Sequence, residues 1–232
     1  MSKKYEFTGE TKLWLGRTLH QIRALIRIEK YDINPGDLGG WIEKEENLSH
    51  DGNAWVCGDA LVCGNAWVCE NAQVCGDALV YGDALVYGDA WVYGNARVCD
   101  NAQVYGDARV CGDARVYGDA WVYGDARVCD NAQVYGDAWV CGNAWVYGNA
   151  RVYGNAHWLC VGPIGSRNDF TTFFRAKGEK ILVKCGCFRG DIDAFAAKVA
   201  VTHGDGPHAK AYMAAIELAK ARIDMTGEDP EE

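Results

Sequence analysis

From Asn53 to Gly154 small apolar residues return at a fixed spacing, and polar residues fill the gaps in one unvarying order. Each six-residue unit reads Asn/Asp, Ala, a variable residue, Val, Cys/Tyr, Gly, as in NAWVCG over Asn53–Gly58 and DARVYG over Asp113–Gly118. Seventeen units follow one another without insertion or deletion; Ala and Val are invariant, and the closing Gly fails only at Glu70, Asp100 and Asp130. Ala and Val stand two apart, so in an extended segment they face one side while the variable residue and the Cys/Tyr face the other. Gly followed by Asn/Asp suits a tight corner, because these residues tolerate positive φ. The pattern predicts one short strand and one bend per unit, with three units closing a triangular coil of about 18 residues. Coils stack at about 4.8 Å over a core of Val and Ala ladders.

Stepping outward residues by one coil assigns them to three sides. The first carries Trp55, Gln73, Trp91, Arg109, Arg127 and Trp145; the second Leu61, Leu79, Arg97, Arg115, Gln133 and Arg151; the third Trp67, Leu85, Gln103, Trp121, Trp139 and His157. Residues 1–52 carry apolar alternation at Leu13, Leu15, Leu25, Ile26 and Ile28, with turn signals at Asn34-Pro35-Gly36 and Gly39-Gly40, and are expected to cap the first coil. After the repeat, Trp158–Ile164, Thr171–Ala176 and Lys180–Phe188 read as strands. Ile192–His203 and His208–Ile223 read as amphipathic helices, the first with Asp191 as N-cap. The fold class is therefore mainly β: a single-stranded parallel β-helix of about six coils at 53–157, an N-terminal β cap at 1–52, a small α+β domain at 158–225 and an acidic tail at 226–232.

Composition narrows the function classes. The chain has 232 residues and a net charge of −9, which argues against general nucleic-acid binding. The repeat holds twelve acidic residues against five Arg and no Lys, so it carries most of that charge, largely at its corners. Aligned corner carboxylates repel, and Asn stands at eight of the seventeen corner positions. No apolar run is long enough to span a bilayer, and MSKKYEFTGE lacks the apolar segment of a secretory leader. A cytoplasmic protein without a membrane partner is expected. Eleven Cys, an odd number, are expected to be thiols rather than a complete disulfide framework. Within the repeat, eight Cys and nine Tyr share one slot, with Cys57 stacked on Cys75 and Cys111 on Cys129, where neighbours could pair or bind a soft metal.

With Val at one position and Ala four later, the repeat resembles the hexapeptide-repeat, left-handed parallel β-helix proteins. That resemblance alone implies the left hand, since the general crossover rule favours the right. The family often has Gly directly after the aliphatic residue, where this chain has Cys or Tyr. The flanks KYEFTGETKLWLGRTLHQIRALIRI, GDLGGWIEKEENLS, GPIGSRNDFTTF and CGCFRGDIDAF resemble hexapeptide proteins of gut bacteria and their phages. Those proteins are labelled as transferases or polymer-forming proteins, which implies an architecture and a bacterial or phage setting.

Several segments are candidates for chemistry. Trp67, Leu85, Trp121 and Trp139 make the third side the most apolar, with Tyr87, Tyr105 and Tyr123 beside it. Such a stripe points to a partner surface, and the resemblance implies a homotrimer. Arg97, Arg115 and Arg151 form a column flanked by Tyr117, Tyr135 and Tyr153, a combination that holds anions or stacked bases when it is not neutralising nearby Asp. Gly162, Gly165, Ser166 and Arg167 lie in a turn suited to an anion-binding nest, without the Gly-Lys-Ser/Thr ending of a P-loop. Cys185-Gly186-Cys187 sits at a strand end within possible reach of His203, and two Cys alone do not make a zinc site.

The resemblance offers His157 as the general base of an acyltransferase-like enzyme with a site at a subunit boundary. The five His are too scattered for a three-His metal centre, and neither cofactor nor metal is expected. The reading is a non-enzymatic β-solenoid, oligomeric, presenting its ladders and C-terminal domain to a protein or a small anionic ligand. The alternatives are the acyltransferase and an acidic mimic of DNA.

Overall fold

The structure is a computed structural model and describes residues 3–226. Strands β1 (Tyr5–Trp14), β2 (Arg17–Ala24) and β3 (Leu38–Ile42) open the chain. Seventeen two-residue strands follow, from β4 (Trp55–Val56) to β20 (Arg151–Val152), one per repeat unit and each made of the variable residue and Val. Strand pairing is parallel at a stagger of 18 residues. Trp91 stands between Gln73 and Arg109, Arg97 between Leu79 and Arg115, and Gln103 between Leu85 and Trp121. The three predicted sides are thus three separate sheets, and the repeat is a parallel β-solenoid of about six coils.

Every repeat Val and Ala is buried. Each buried Val contributes about 1.5–3 kcal/mol, so the prism is held by many equal contributions rather than by one large cluster. Its ends are closed by larger side chains: Tyr5, Ile22, Leu48 and Trp55 at the start, and Phe174 at the finish. At the corners, Asn donates to the acidic neighbour one coil on. Asn65 Nδ2 reaches Asp83 Oδ1 at 2.9 Å, and Asn95 and Asn101 reach Asp113 and Asp119 at 3.0 Å. Where Asn stacks on Asp in this way, a carboxylate–carboxylate repulsion is replaced by a charge-assisted hydrogen bond.

The cap differs from the expected alternation. Leu13 and Leu15 are 76% and 81% exposed, and Leu25 and Ile26 are also exposed, whereas Leu19, Ile22, Ala24 and Ile28 are buried. A register shift between Phe7 and Thr11 re-aims the far half of the hairpin, and Trp14, beside Leu13 on the other face, meets Tyr81 edge-on at 5.8 Å. Gly39 and Gly40, expected at a turn, lie inside β3. A Cβ on Gly39 would stand 2.8 Å from the Trp55 ring, and one on Gly40 2.8 Å from the Ala60 carbonyl oxygen, so the pair is small to let β3 cross the first coil.

The C-terminal domain comprises β21 (Trp158–Ile164), β22 (Asp169–Ala176), β23 (Lys180–Cys185), β24 (Phe188–Asp191), α1 (Ile192–His203) and α2 (Pro207–Arg222). The single strand expected over Lys180–Phe188 is instead a hairpin, because Gly186 takes φ +54 and reverses the chain. Asp191 caps α1, accepting the Ala194 amide at 2.8 Å. The four-stranded antiparallel sheet docks on the last coil. Tyr147 donates its hydroxyl to the Val183 carbonyl at 2.9 Å and accepts the Gly190 amide at 3.0 Å. Of the expected acidic tail, residues 227–232 lie outside the described residues.

Candidate functional site

Antiparallel pairing of Thr171 with Cys185 brings two turns to the same end of the C-terminal sheet. One is the β21–β22 turn, in which the Gly162–Pro163 bond is cis, Gly165 takes φ +73 and the Asn168 amide reaches the Gly165 carbonyl at 3.3 Å. The other is the Gly186-Cys187 turn between β23 and β24. They touch where Arg167 Nη1 lies 3.8 Å from Cys187 Sγ. The face of α1 bearing Phe195, Lys198, Val199 and Thr202 covers them, and Tyr212 on α2 closes the back; together they enclose an open cavity of about 500 Å³. Two segments singled out separately in the sequence therefore line one cavity, with His203 also on its wall.

Gly165 fits Tyr212 to this cavity. A Cβ there would lie 1.8 Å from the Tyr212 hydroxyl oxygen, so only Gly permits both the positive φ and the close approach. The Tyr212 hydroxyl is 3.7 Å from Cys185 Sγ, its ring stacks on His203 at 5.7 Å, and burial above all pushes its pKa up to about 12. Phe188, Phe195 and Val199 supply apolar wall, and the lining holds three cations, Arg167, Arg189 and Lys198, against one carboxylate, Asp169. In a chain of net charge −9 this is a locally cationic concavity. Arg189 also lies 5.0 Å from the Trp145 and Tyr147 rings and 3.7 Å from Asp130, so the solenoid itself orients one wall. Lys184 turns away: burial lowers its pKa, and its Nζ lies 4.1 Å over Trp145.

Sequence reading missed Arg189, Lys198 and Tyr212. The signal for Lys198 is its place in the Phe195–Lys198–Val199–Thr202 set, whose spacing puts all four on one helical face. Arg189 and Tyr212 carry no such signal, because tertiary docking alone brings them in.

The other candidates lie elsewhere. Arg97 and Arg115 are exposed and adjacent in register, but Gln133 separates them from Arg151. Arg151 is only 7% exposed and donates to Gln133 Oε1 at 2.9 Å. The neighbouring tyrosines form a stack, Tyr117–Tyr135 at 5.0 Å and Tyr135–Tyr153 at 5.3 Å. His157 does not continue the third side as a strand; it ends a 3-10 turn, Asn155–His157. Asn155 Oδ1 accepts the Trp139 amide at 2.9 Å, taking the place of the carbonyl a further coil would offer. The His157 ring is buried 3.7 Å from Tyr153, its Nδ1 accepts the Tyr153 amide at 3.3 Å, and burial, then Arg175, lowers its pKa.

On the third side, Trp67 and Trp139 are each 46% exposed. Trp121 stacks on Trp139 at 5.2 Å, and Tyr87, Tyr105 and Tyr123 stack at 4.8 and 5.0 Å. Leu85 is half-buried and lines a groove of about 540 Å³ with Trp67 and Tyr87. Among the described residues no three His, Cys, Asp or Glu side chains converge as a metal site, and no helix is long and apolar enough to cross a membrane.

No curated protein matches this chain. The family model described as YdcK Beta solenoid repeat matches residues 72–88, 80–94, 90–106, 108–124, 126–142, 132–148 and 140–157. These segments lie in the coils described above, the last running on into the Asn155–His157 turn, and both the match and the strand register identify the central region of this chain as a β-solenoid repeat, similar to that of YdcK.

Proposed function

We propose that this chain is a non-enzymatic binding protein of the bacterial cytoplasm, bacterial or phage in origin, whose C-terminal cavity takes a small organic anion with an apolar part. The observation that supports the reading is the convergence of Arg167, Arg189 and Lys198 around a wall of Phe188, Phe195, Val199 and Tyr212. Guanidinium and ammonium groups supply the attraction for a carboxylate or phosphate, and the aromatic wall excludes water from the rest of the ligand. The solenoid acts as a rigid mount, with Tyr147 and Trp145 holding the cavity-bearing sheet. The third side, with Trp67, Leu85, Trp121 and Trp139, serves self-association into a trimer.

Native mass spectrometry of untagged protein taken gently from its expression host tests both parts. The expected species is a trimer carrying extra mass that dissociates as a small anion; Arg167→Glu loses that mass and His157→Ala keeps it. A wild-type chain without added mass sinks the ligand reading, and a monomer sinks the trimer. Loss of the mass in His157→Ala alone would turn attention to the acyltransferase reading, with turnover as the readout.

A further inference from the structure

One corner column of the solenoid repeats its own chemistry. Reading up the first side in steps of 18, the outward slot after Val holds Cys57, Cys75, Tyr93, Cys111, Cys129 and Tyr147. In the other two columns each repeat Cys has a Tyr, not a Cys, at the adjacent repeat positions, as with Cys63 next to Tyr81 and Cys141 next to Tyr123. Parallel pairing of Val110 with Val128 brings Cys111 and Cys129 side by side. The structure joins the first pair, Cys57–Cys75, in a disulfide with a Cα separation of 4.7 Å, which corrects the all-thiol expectation for these two residues. The second pair occupies the same slot three coils on, as free thiols with the sulfurs 2.8 Å apart. Strand spacing of about 4.8 Å falls inside the Cα window a disulfide accepts, so the fold itself presents the geometry.

We propose that Cys111 and Cys129 are a redox-active dithiol that low-molecular-weight disulfides oxidise to a second cross-coil disulfide. Cys111 is the attacking sulfur. The adjoining Cys129 thiol, against the opposing effect of burial and with help from the Tyr93 hydroxyl, pulls its pKa down to about 6, while Cys129 is pushed up. Both residues are half-buried on the outer surface of the solenoid, within reach of a small molecule.

The Cys111 thiolate attacks one sulfur of RSSR; that S–S bond breaks, RS⁻ leaves, and Cys111 becomes a mixed disulfide. Cys129 then gives up its proton and attacks the Cys111 sulfur, expelling the second RS⁻. The protein dithiol is oxidised by two electrons, and RSSR is reduced to two RSH once protons are taken up. The product fastens two adjacent coils, as Cys57–Cys75 does near the start of the solenoid.

The test uses the folded full chain and glutathione disulfide. After brief exposure at pH 7, free thiols are capped with N-ethylmaleimide and the protein is digested with trypsin without reduction. Cleavage after Arg109 and Arg115 isolates Cys111 as the single Cys of residues 110–115, and Cys129 falls with Cys141 in residues 128–151. The expected product is these two peptides joined through Cys129, with Cys141 capped. In Cys129→Ser, which removes the resolving thiol, Cys111 stops at the glutathione mixed disulfide. In Cys111→Ser, Cys129 stays capped. The exposed Cys187 reports that the reagent acted. Glutathionylated Cys187 beside separately capped Cys111 and Cys129 in the wild type overturns the proposal, as does linkage seen only after unfolding. Far-UV circular dichroism confirms that each variant is folded before it is scored.

Discussion

The carboxylate of Asp100 accepts the backbone amide of Gly118, one coil further on, at 3.1 Å. Glu70 does the same for Gly88 at 2.9 Å, and Asp130 for Gly148 at 3.2 Å. These are the three places where the closing Gly of the repeat is replaced, and all three keep its left-handed backbone, at φ +58 to +61. One such carboxylate stands in each of the three corner columns. A non-Gly residue there costs about 1 kcal/mol, and a charge-assisted hydrogen bond to an amide offsets it. Asp100→Ala keeps the cost and loses the bond, so the urea midpoint is expected to fall by the equivalent of about 1–2 kcal/mol. Asp100→Gly loses both and is expected to stay within about 0.5 kcal/mol of wild type. Equal losses for the two substitutions would show that the left-handed backbone costs Asp100 nothing, and an unchanged midpoint in Asp100→Ala would show that the hydrogen bond contributes nothing.

Gly165→Ala is expected to damage the cavity rather than the solenoid. The new Cβ meets the Tyr212 hydroxyl at 1.8 Å on a backbone at φ +73, so α2 must move away from the β21–β22 turn. Overpacking with a strained backbone costs on the order of 2–4 kcal/mol. Hydrogen–deuterium exchange should rise in α2 (Pro207–Arg222) while the coils between Trp55 and Val146 keep wild-type protection. Unchanged exchange in α2 would show that the helix is not held by this contact.

How much of this was legible follows the regularity of the chain. Val and Ala at constant spacing settle the inward face, and seventeen units without an indel settle the register, so Arg97 beside Arg115 could be read directly. The cap was less readable, because a bulge decides which of Leu13 and Leu19 points inward and no residue type announces it. Gly39-Gly40 has the composition of a turn but is small because β3 crosses Trp55, a contact sixteen residues beyond Gly39. The cavity was half visible. The turns at Gly162–Arg167 and Cys185–Cys187 stood out locally, but that they meet depends on β22–β23 pairing, and Tyr212 arrives from a helix with no marked pattern.

Closure of the solenoid's far end rests on Phe174, which is fully buried at the last coil, with Tyr147 edge-on at 5.2 Å. Replacing it with Ala removes the plug from a Val/Ala prism that cannot collapse to fill the space, since its neighbours are fixed by strand pairing. A loss of about 3–5 kcal/mol is expected. Because coils contact only their neighbours, the damage should spread from this end, with exchange protection falling around Val152 before Val62. Uniform loss along all coils would mean that the solenoid unfolds as one cooperative block.

At the opposite end, Lys4 is fully buried, with its Nζ donating to the Ala54 carbonyl at 2.8 Å. Burial lowers its pKa from 10.5 to about 8, against the attraction of Asp51. Below about pH 8 the lysine is charged in both folded and unfolded chains, and the folded chain bears the full cost of burying an ammonium. Between about 8 and 10.5 the unfolded chain holds the extra proton, so stability rises with pH; above 10.5 both are neutral and the gain is complete. At about 1.4 kcal/mol per unit the gain is about 3 kcal/mol. Tyr5 next to it is raised in pKa by burial and acts in the opposite direction once the unfolded tyrosine ionises near 10, so wild type alone gives a mixed curve. Lys4→Met keeps Tyr5 and removes the lysine titration. The difference in unfolding free energy, wild type minus Lys4→Met, is expected to climb by about 3 kcal/mol between pH 7.5 and 10.5. A difference that stays flat across this window would show that the Lys4 ammonium is solvated in the folded chain.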